Sequence, residues 1–237
     1  MFKAVLFDLD GTLLPIDTDQ FLQEYLKLLS GFTAPYMEPQ AFVACLLEAT
    51  FCMIGDRDPG RTNEQVFMEK FFALTGLAPE VMMPVFDRFY ATEFCRLQAI
   101  CPANPVVPEL VAAAQGLGKV VIATNPVFPR QAIQERLRWV GLAGVSFDLI
   151  TSYEIMHFCK PHIEYYEEIV DLIGVDPEDC LMVGNDVDED LVAREIGMKT
   201  FLVEPYLINR TGRDFVTDYR GSLEDCLALL VDSKKQG

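Results

Sequence analysis

Two aspartates close the first apolar run of the chain. In VLFDLDGTLL, positions 5–14, Asp8 and Asp10 follow Val5, Leu6 and Phe7 and stand just before Gly11 and Thr12. Other polar residues end other apolar runs. Thr124 and Asn125 end KVVIATN, Lys160 stands before Pro161 a short way beyond FDLITSYE, and Asp186 ends CLMVGND, with Asp188, Glu189 and Asp190 behind it. Ligands of an open parallel sheet bind at the carboxyl ends of its strands, so these ends would meet on one edge. Close carboxylates repel one another unless a cation is present. Hard oxygen ligands with open positions suit Mg²⁺, which keeps some waters and accepts substrate phosphate oxygens. In such a set one Asp can attack phosphorus. A second carboxyl can protonate the leaving oxygen and then activate water. Thr124 and Lys160 can hold the phosphoryl oxygens and spread their charge.

The elements that must position these groups are legible as well. KAVLFDLD, KVVIATN and CLMVGND read as buried parallel strands, with FDLITSYE and KTFLVEP as further candidates. Helical patterns lie between them: PELVAAAQGLG, PRQAIQERLRWVGL, IEYYEEIVDLIGV and DEDLVAREIGM. This alternation predicts an α/β core with a doubly wound, Rossmann-like parallel sheet. A last helix around SLEDCLALLVDS starts at Ser222, a good N-cap.

Residues 15–104 break the alternation. Apolar residues recur there at three- and four-residue steps, which predicts helices over about 18–30, 38–54, 63–75 and 79–97. Thr62 with Gln65 forms a capping box. Roughly 90 residues are too many for a bare loop. The reading is an all-helical cap domain at 15–104, hinges included, inserted into a core made of 1–14 and 105–237. The loop GDRDPGRTNE between the second and third cap helices carries Arg57 and Arg61. One of them is expected to meet the non-phosphoryl part of the substrate.

FDLDGTLL resembles the first motif of the haloacid dehalogenase superfamily, in its phosphatase-like DxDGT branch. IATN is similar to the second motif, KP to the third and GNDVDED to the fourth, and all four stand in order. The inserted helices match that family's cap in position only. The resemblance implies Asp8 as nucleophile and metal ligand. It implies Asp10 as general acid and base, binding metal through its backbone carbonyl. Thr124 would hold a phosphoryl oxygen, with backbone N–H groups near Leu9 and Asn125 helping. Lys160 would pair with Asp8 and the phosphoryl group, Asp186 would ligate Mg²⁺, and Asp190 would steady Lys160 or the metal's water shell. Many relatives carry Asp directly after the fourth-motif Gly. Here that place is Asn185, and the acid comes one later.

Composition limits the partners. The 237 residues carry a formal net charge of −17, which argues against nucleic acid and anionic membrane surfaces as partners. It leaves room for a small phosphorylated substrate at a site with its own cations. No apolar run is long enough for a membrane span. Seven cysteines without a CxxC read as reduced residues of a cytoplasmic protein, and the start of the chain reads as a strand rather than a leader. With only two histidines a zinc site is disfavoured. Asp188 and Glu189 read as solvated carboxylates. The leading function is a Mg²⁺-dependent phosphatase for a small metabolite, working through an aspartyl-phosphate. A sugar phosphomutase is the nearest alternative, and a phospho-accepting signalling or binding module is the non-enzyme one. The oligomeric state is not legible.

Overall fold

The computed structural model describes residues 2–235. Among these, six strands form one sheet: β1 (Ala4–Phe7), β2 (Lys119–Ile122), β3 (Leu149–Ile150), β4 (Cys180–Gly184), β5 (Lys199–Val203) and β6 (Tyr219–Gly221). All pairings are parallel, in the order β3-β2-β1-β4-β5-β6. The chain builds outward from β1 on one side, then crosses back at β4 and builds outward on the other. The strand order therefore reverses beside β1, and a crevice opens there at the carboxyl ends.

β1 is apolar throughout because it is covered on both faces. Its side chains alternate between two cores. Val5 and Phe7 join Leu110 of α5 (Val106–Gln115), Ile133 of α6 (Arg130–Trp139) and Leu230 of α8 (Leu223–Lys235). Ala4 and Leu6 join Tyr165, Ile169 and Ile173 of α7 (Ile163–Ile173) on the other face. The start of α8 is closed by a reciprocal cap: the Asp225 amide donates to Ser222 Oγ at 3.3 Å and the Ser222 amide to Asp225 at 2.8 Å.

Between β1 and α5 lie α1 (Thr18–Thr33), α2 (Pro39–Gly55), α3 (Asn63–Thr75) and α4 (Pro79–Thr92), then a 3-10 turn at Phe94–Ile100. The expected capping box at Thr62 and Gln65 is formed, and α3 stops at Gly76 in the left-handed conformation. Edge-on aromatic pairs fill this layer, Phe42 with Phe71 at 5.6 Å among them. It is fastened to the segment after β3. The Asn63 and Glu64 amides donate to the Met156 and Tyr153 carbonyls, both at 2.8 Å. His162 Nε2 lies 2.8 Å from the Ile54 carbonyl. Trp139 stacks on Phe94, so it packs where the two layers meet.

Several elements differ from expectation. DEDLVAREIGM is not an α-helix. Its first residues wind around carboxylates that take their amides, and only a 3-10 turn, Leu191–Ile196, remains before Gly197. The fourth inserted helix ends at Thr92 rather than 97 and passes into the 3-10 turn. The strand in FDLITSYE shrinks to two residues because the chain then turns toward the inserted helices. β6 was not foreseen; as an edge strand with two exposed residues it carries no apolar run. All seven cysteines are free, four of them buried.

Candidate active site

The site begins where β1 runs out. The Asp8 amide still donates to Val183 of β4 at 2.9 Å, so the Asp8 backbone is held as an extension of the sheet. The chain then folds back through a tight loop, with the Gly11 amide donating to the Leu14 carbonyl and the Leu14 amide to the Leu9 carbonyl, both at 2.8 Å. Gly11 has φ +83°, and a Cβ there would lie 2.4 Å from Asn185 Nδ2, so no other residue fits. The Thr12 hydroxyl lies 3.2 Å from Asp8 Oδ2 and 3.0 Å from Asn185 Oδ1, and its single proton serves one of them at a time.

Lys160 is the centre of the charge arrangement. It is 1% exposed, and its ammonium donates to Asp8 Oδ1 at 2.9 Å and to Asp190 Oδ1 at 2.6 Å. Burial opposes its charge, but Asp190 and Asp8 outweigh burial and hold its pKa well above the ordinary lysine value. Asp8 is pushed up to about 7, chiefly by burial; Lys160 pulls it back, while Asp190 and Asp10 push it further. Asp190 is fixed from behind, since its Oδ2 accepts the Asp186 amide at 2.9 Å. A Cβ at Gly184 would stand 2.1 Å from that same oxygen, which explains a glycine at the end of β4.

Asp186 is half-buried, and its Oδ1 accepts the Asp188 and Glu189 amides at 2.7 and 3.0 Å. Its pKa is raised, first by burial and then by Asp190. Asn185 is committed elsewhere: its Nδ2 donates to the Tyr206 carbonyl at 2.6 Å and its Oδ1 faces Thr12. It braces three loops, which suits an amide better than a metal-ligating acid. Glu189 corrects the reading of a solvated carboxylate. It lines the cleft, takes a hydrogen bond from Asn125 Nδ2 at 3.2 Å, and is pushed up to about 7 by burial. Asp188 does turn outward, to Thr211 and Arg213. Thr124 is buried at the end of β2. Its carbonyl accepts from Thr151 at 2.7 Å and Tyr165 at 2.9 Å, and its hydroxyl has no protein partner among the described residues.

Sequence reasoning missed Arg136. This residue of α6 is fully buried, and its guanidinium is ion-paired with Asp10 Oδ2. It also lies 4.5 Å over the ring of Phe128. The signal was present in the sequence: Ala132, Ile133, Arg136 and Leu137 form the buried stripe of α6, and a charge on an apolar stripe requires a partner. Asp10 Oδ1 and Arg136 Nη2 are buried with no partner among the described residues.

Asp8, Asp10, Thr124, Asn125, Asp186 and Asp190 line one cleft of about 250 Å³ at the carboxyl ends of the strands. Arg57 and Arg61 are not brought there. Arg57 pairs with Glu164, and Arg61 pairs with Asp56, Asp58 and Glu69 of its own loop and helix. Neither lines the cleft, where one of them was expected to meet the substrate, and nearer carboxylates hold both guanidiniums.

Five carboxylates, Asp8, Asp10, Asp186, Glu189 and Asp190, meet two buried cations, Lys160 and Arg136. That excess suits a divalent cation. Among the described residues no three His, Cys, Asp or Glu side chains group tightly enough to cage a metal. What is offered instead is an open set: the Asp8 and Asp186 carboxylates, which line the same cleft. Such a set fits Mg²⁺, which binds through one or two carboxylates and keeps positions for water and phosphate oxygens.

This constellation on a reversed parallel sheet has known counterparts. The family model of haloacid dehalogenase-like hydrolases matches residues 2–197, and the chain belongs to that family. It is 27% identical over 215 residues to a glyceraldehyde 3-phosphate phosphatase of Methanothermobacter thermautotrophicus, covering 87% of this chain and 88% of that one. It is 27% identical to an N-acetylmuramic acid 6-phosphate phosphatase of Pseudomonas aeruginosa, over 95% of this chain and 94% of the relative. Among solved structures, a HAD phosphatase from Thermococcus onnurineus superposes with a TM-score of 0.57 at 21% identity, over 97% of this chain and 98% of that one. An L-2-haloacid dehalogenase from Xanthobacter autotrophicus gives 0.57 at 18%, over 98% and 99%. The two structures establish the shared fold.

Proposed function

We propose that this hydrolase is a Mg²⁺-dependent phosphatase that cleaves a small phosphate monoester through an aspartyl-phosphate on Asp8. The observation that carries the reading is Lys160, buried between Asp8 and Asp190, two of the carboxylates that line the cleft. A buried ammonium placed there can hold Asp8 in position and neutralise a phosphoryl oxygen beside it.

In the first half-reaction an Asp8 oxygen forms a bond to phosphorus while the bond from phosphorus to the alcohol oxygen breaks. Asp10 gives its proton to that oxygen. In the second, Asp10 takes a proton from water, the water oxygen bonds to phosphorus, and the Asp8–phosphorus bond breaks to release phosphate. Arg136 occupies Asp10 Oδ2, so the proton is given and received at Oδ1, the oxygen without a partner among the described residues. Thr124 and the Asn125 amide group hold phosphoryl oxygens, and Asp190 keeps Lys160 aimed at Asp8. Mg²⁺ would be held by Asp8, Asp186 and, as the family resemblance implies, the Asp10 backbone carbonyl, and would supply charge neutralisation that lets the carboxylate approach the anionic ester.

The inserted helices at 15–104 act as a cap over the core made of 1–14 and 105–237, and limit water at the site. The chain's seven free thiols support a reducing, cytoplasmic setting, and its net charge of −17 disfavours nucleic acid as a partner. No helix among the described residues is long and apolar enough to cross a membrane. The test is release of inorganic phosphate across a panel of phosphate monoesters, with Mg²⁺ or with EDTA. Mg²⁺-dependent release that disappears in Asp8→Asn supports the reading. Equal release with EDTA, or near-wild-type rates in Asp8→Asn, contradicts it.

A further inference from the structure

A second cavity, of about 240 Å³, adjoins the cleft and sits between the inserted helices and the core. Leu22, Val127 and Phe128 line both, so the two spaces share a wall. Six of the other fourteen lining residues carry aromatic rings, Tyr25, Phe51, Phe67, Phe86, Tyr90 and Tyr153, and the rest are mostly aliphatic. Two large apolar side chains at this cavity stay exposed, Phe51 at 68% and Leu22 at 40%, although most of their kind in this chain are buried.

Most of its polar groups are already engaged. The Tyr25 and Tyr90 hydroxyls bond each other at 2.9 Å, and the Thr50 hydroxyl donates to the Leu46 carbonyl at 2.8 Å. Tyr153 keeps the one lining hydroxyl without a protein partner among the described residues. A polyhydroxylated leaving group here would lose water and find almost nothing to replace it. An aromatic ring would lose nothing polar and gain edge-on contacts with the lining rings. The space also exceeds the roughly 150 Å³ apolar cavity known to accept a benzene ring.

Resting on the phosphatase reading, we propose that the substrate is a phosphate monoester of an alcohol bearing an aromatic ring. The phosphoryl group lies beside Asp8 and Lys160, and the ring crosses the wall of Leu22, Val127 and Phe128 into the apolar cavity. Neither Arg57 nor Arg61 lines this cavity.

The test compares kcat/KM for 2-phenylethyl phosphate, ethyl phosphate and glycerol 3-phosphate, whose leaving groups are all primary alkoxides. The 2-phenylethyl ester is expected to lead both others by about 30-fold, from burial of one ring. Thr50→Trp and Met68→Trp, each filling the cavity from a half-buried position, are expected to cut that lead to about threefold. Equal kcat/KM for the three esters overturns the proposal, as does a lead that survives in both folded variants. A binding measurement separates this proposal from the phosphatase reading: titration with the neutral dye N-phenyl-1-naphthylamine. If no ester is hydrolysed but the dye binds the wild type and not the variants, the phosphatase reading fails while the cavity stands as an aromatic-ligand site. If the dye does not bind the wild type, the cavity does not take aromatic ligands and the proposal falls.

Discussion

The guanidinium of Arg136, wholly buried on α6, is ion-paired with the carboxylate of Asp10, 126 positions earlier in the chain. Removing one partner of a buried pair leaves the other without compensation, which costs about 3 kcal/mol at the low end of the usual range. The low end applies because the Asp10 side chain keeps 20% exposure. Arg136→Met is therefore expected to lower stability by about that amount in urea unfolding. Asp10→Asn/Arg136→Met is expected to lose less than the two single changes added together. Strict additivity would mean that the pair contributes nothing.

Proton donation by Asp10 has a chemical signature. A poor leaving group, such as a simple alkoxide, needs a proton as it departs, whereas p-nitrophenolate does not. Asp10→Asn should cut kcat/KM, which reads only the first half-reaction, by about 10²–10⁴-fold on alkyl phosphates and by far less on p-nitrophenyl phosphate. An equal loss on both would remove Asp10 from the role of acid.

Gly184 permits the position of Asp190. In Gly184→Ala the new Cβ would stand 2.1 Å from Asp190 Oδ2, an oxygen held by the Asp186 amide. Asp190 would have to move and so loosen its 2.6 Å contact with Lys160. Thermal unfolding should show a loss of about 1–3 kcal/mol, as for other overpacked sites. Activity should fall further than in variants of equal stability elsewhere. Unchanged stability and rate would show that Asp190 has room to spare.

On the proposed function, metal and pH would act on the same carboxylates. Without metal, burial raises Asp8 to about 7 and raises Asp186 as well. Between an unfolded value near 4 and that raised value, the folded protein binds more protons than the unfolded chain, so stability falls as pH rises through this window. Mg²⁺ binds the ionised forms and should reverse that loss. The rise in Tm on replacing EDTA with Mg²⁺ should be larger at pH 8 than at pH 5. Equal rises at the two values would detach these carboxylates from the metal.

The part of the fold visible in the sequence is the part made by continuous apolar runs. β1, β2 and β4 announce themselves because central parallel strands are buried on both faces, and the residues that end them carry the site. β6 was invisible because an edge strand needs no such run. The stretch after Asp186 read as a helix because its apolar spacing is helical, but the carboxylates of Asp186 and Asp190 capture the amides first. Asp8, Asp10, Thr124, Lys160, Asp186 and Asp190 converge as their strand ends implied. Glu189 and Arg136 were misread or missed for a common reason: a charge finds its partner through space, and spacing along the chain does not show it.

The most direct measurement is acid quench of the protein during turnover of a phosphate ester with Mg²⁺, followed by peptide mass spectrometry. With Asp8 as the nucleophile, a phosphoryl group appears on the peptide that contains Asp8, needs Mg²⁺ to form, and is absent in Asp8→Asn. Steady hydrolysis with no phosphoryl group on that peptide at any quench time, joined by undiminished turnover in Asp8→Asn, would contradict it.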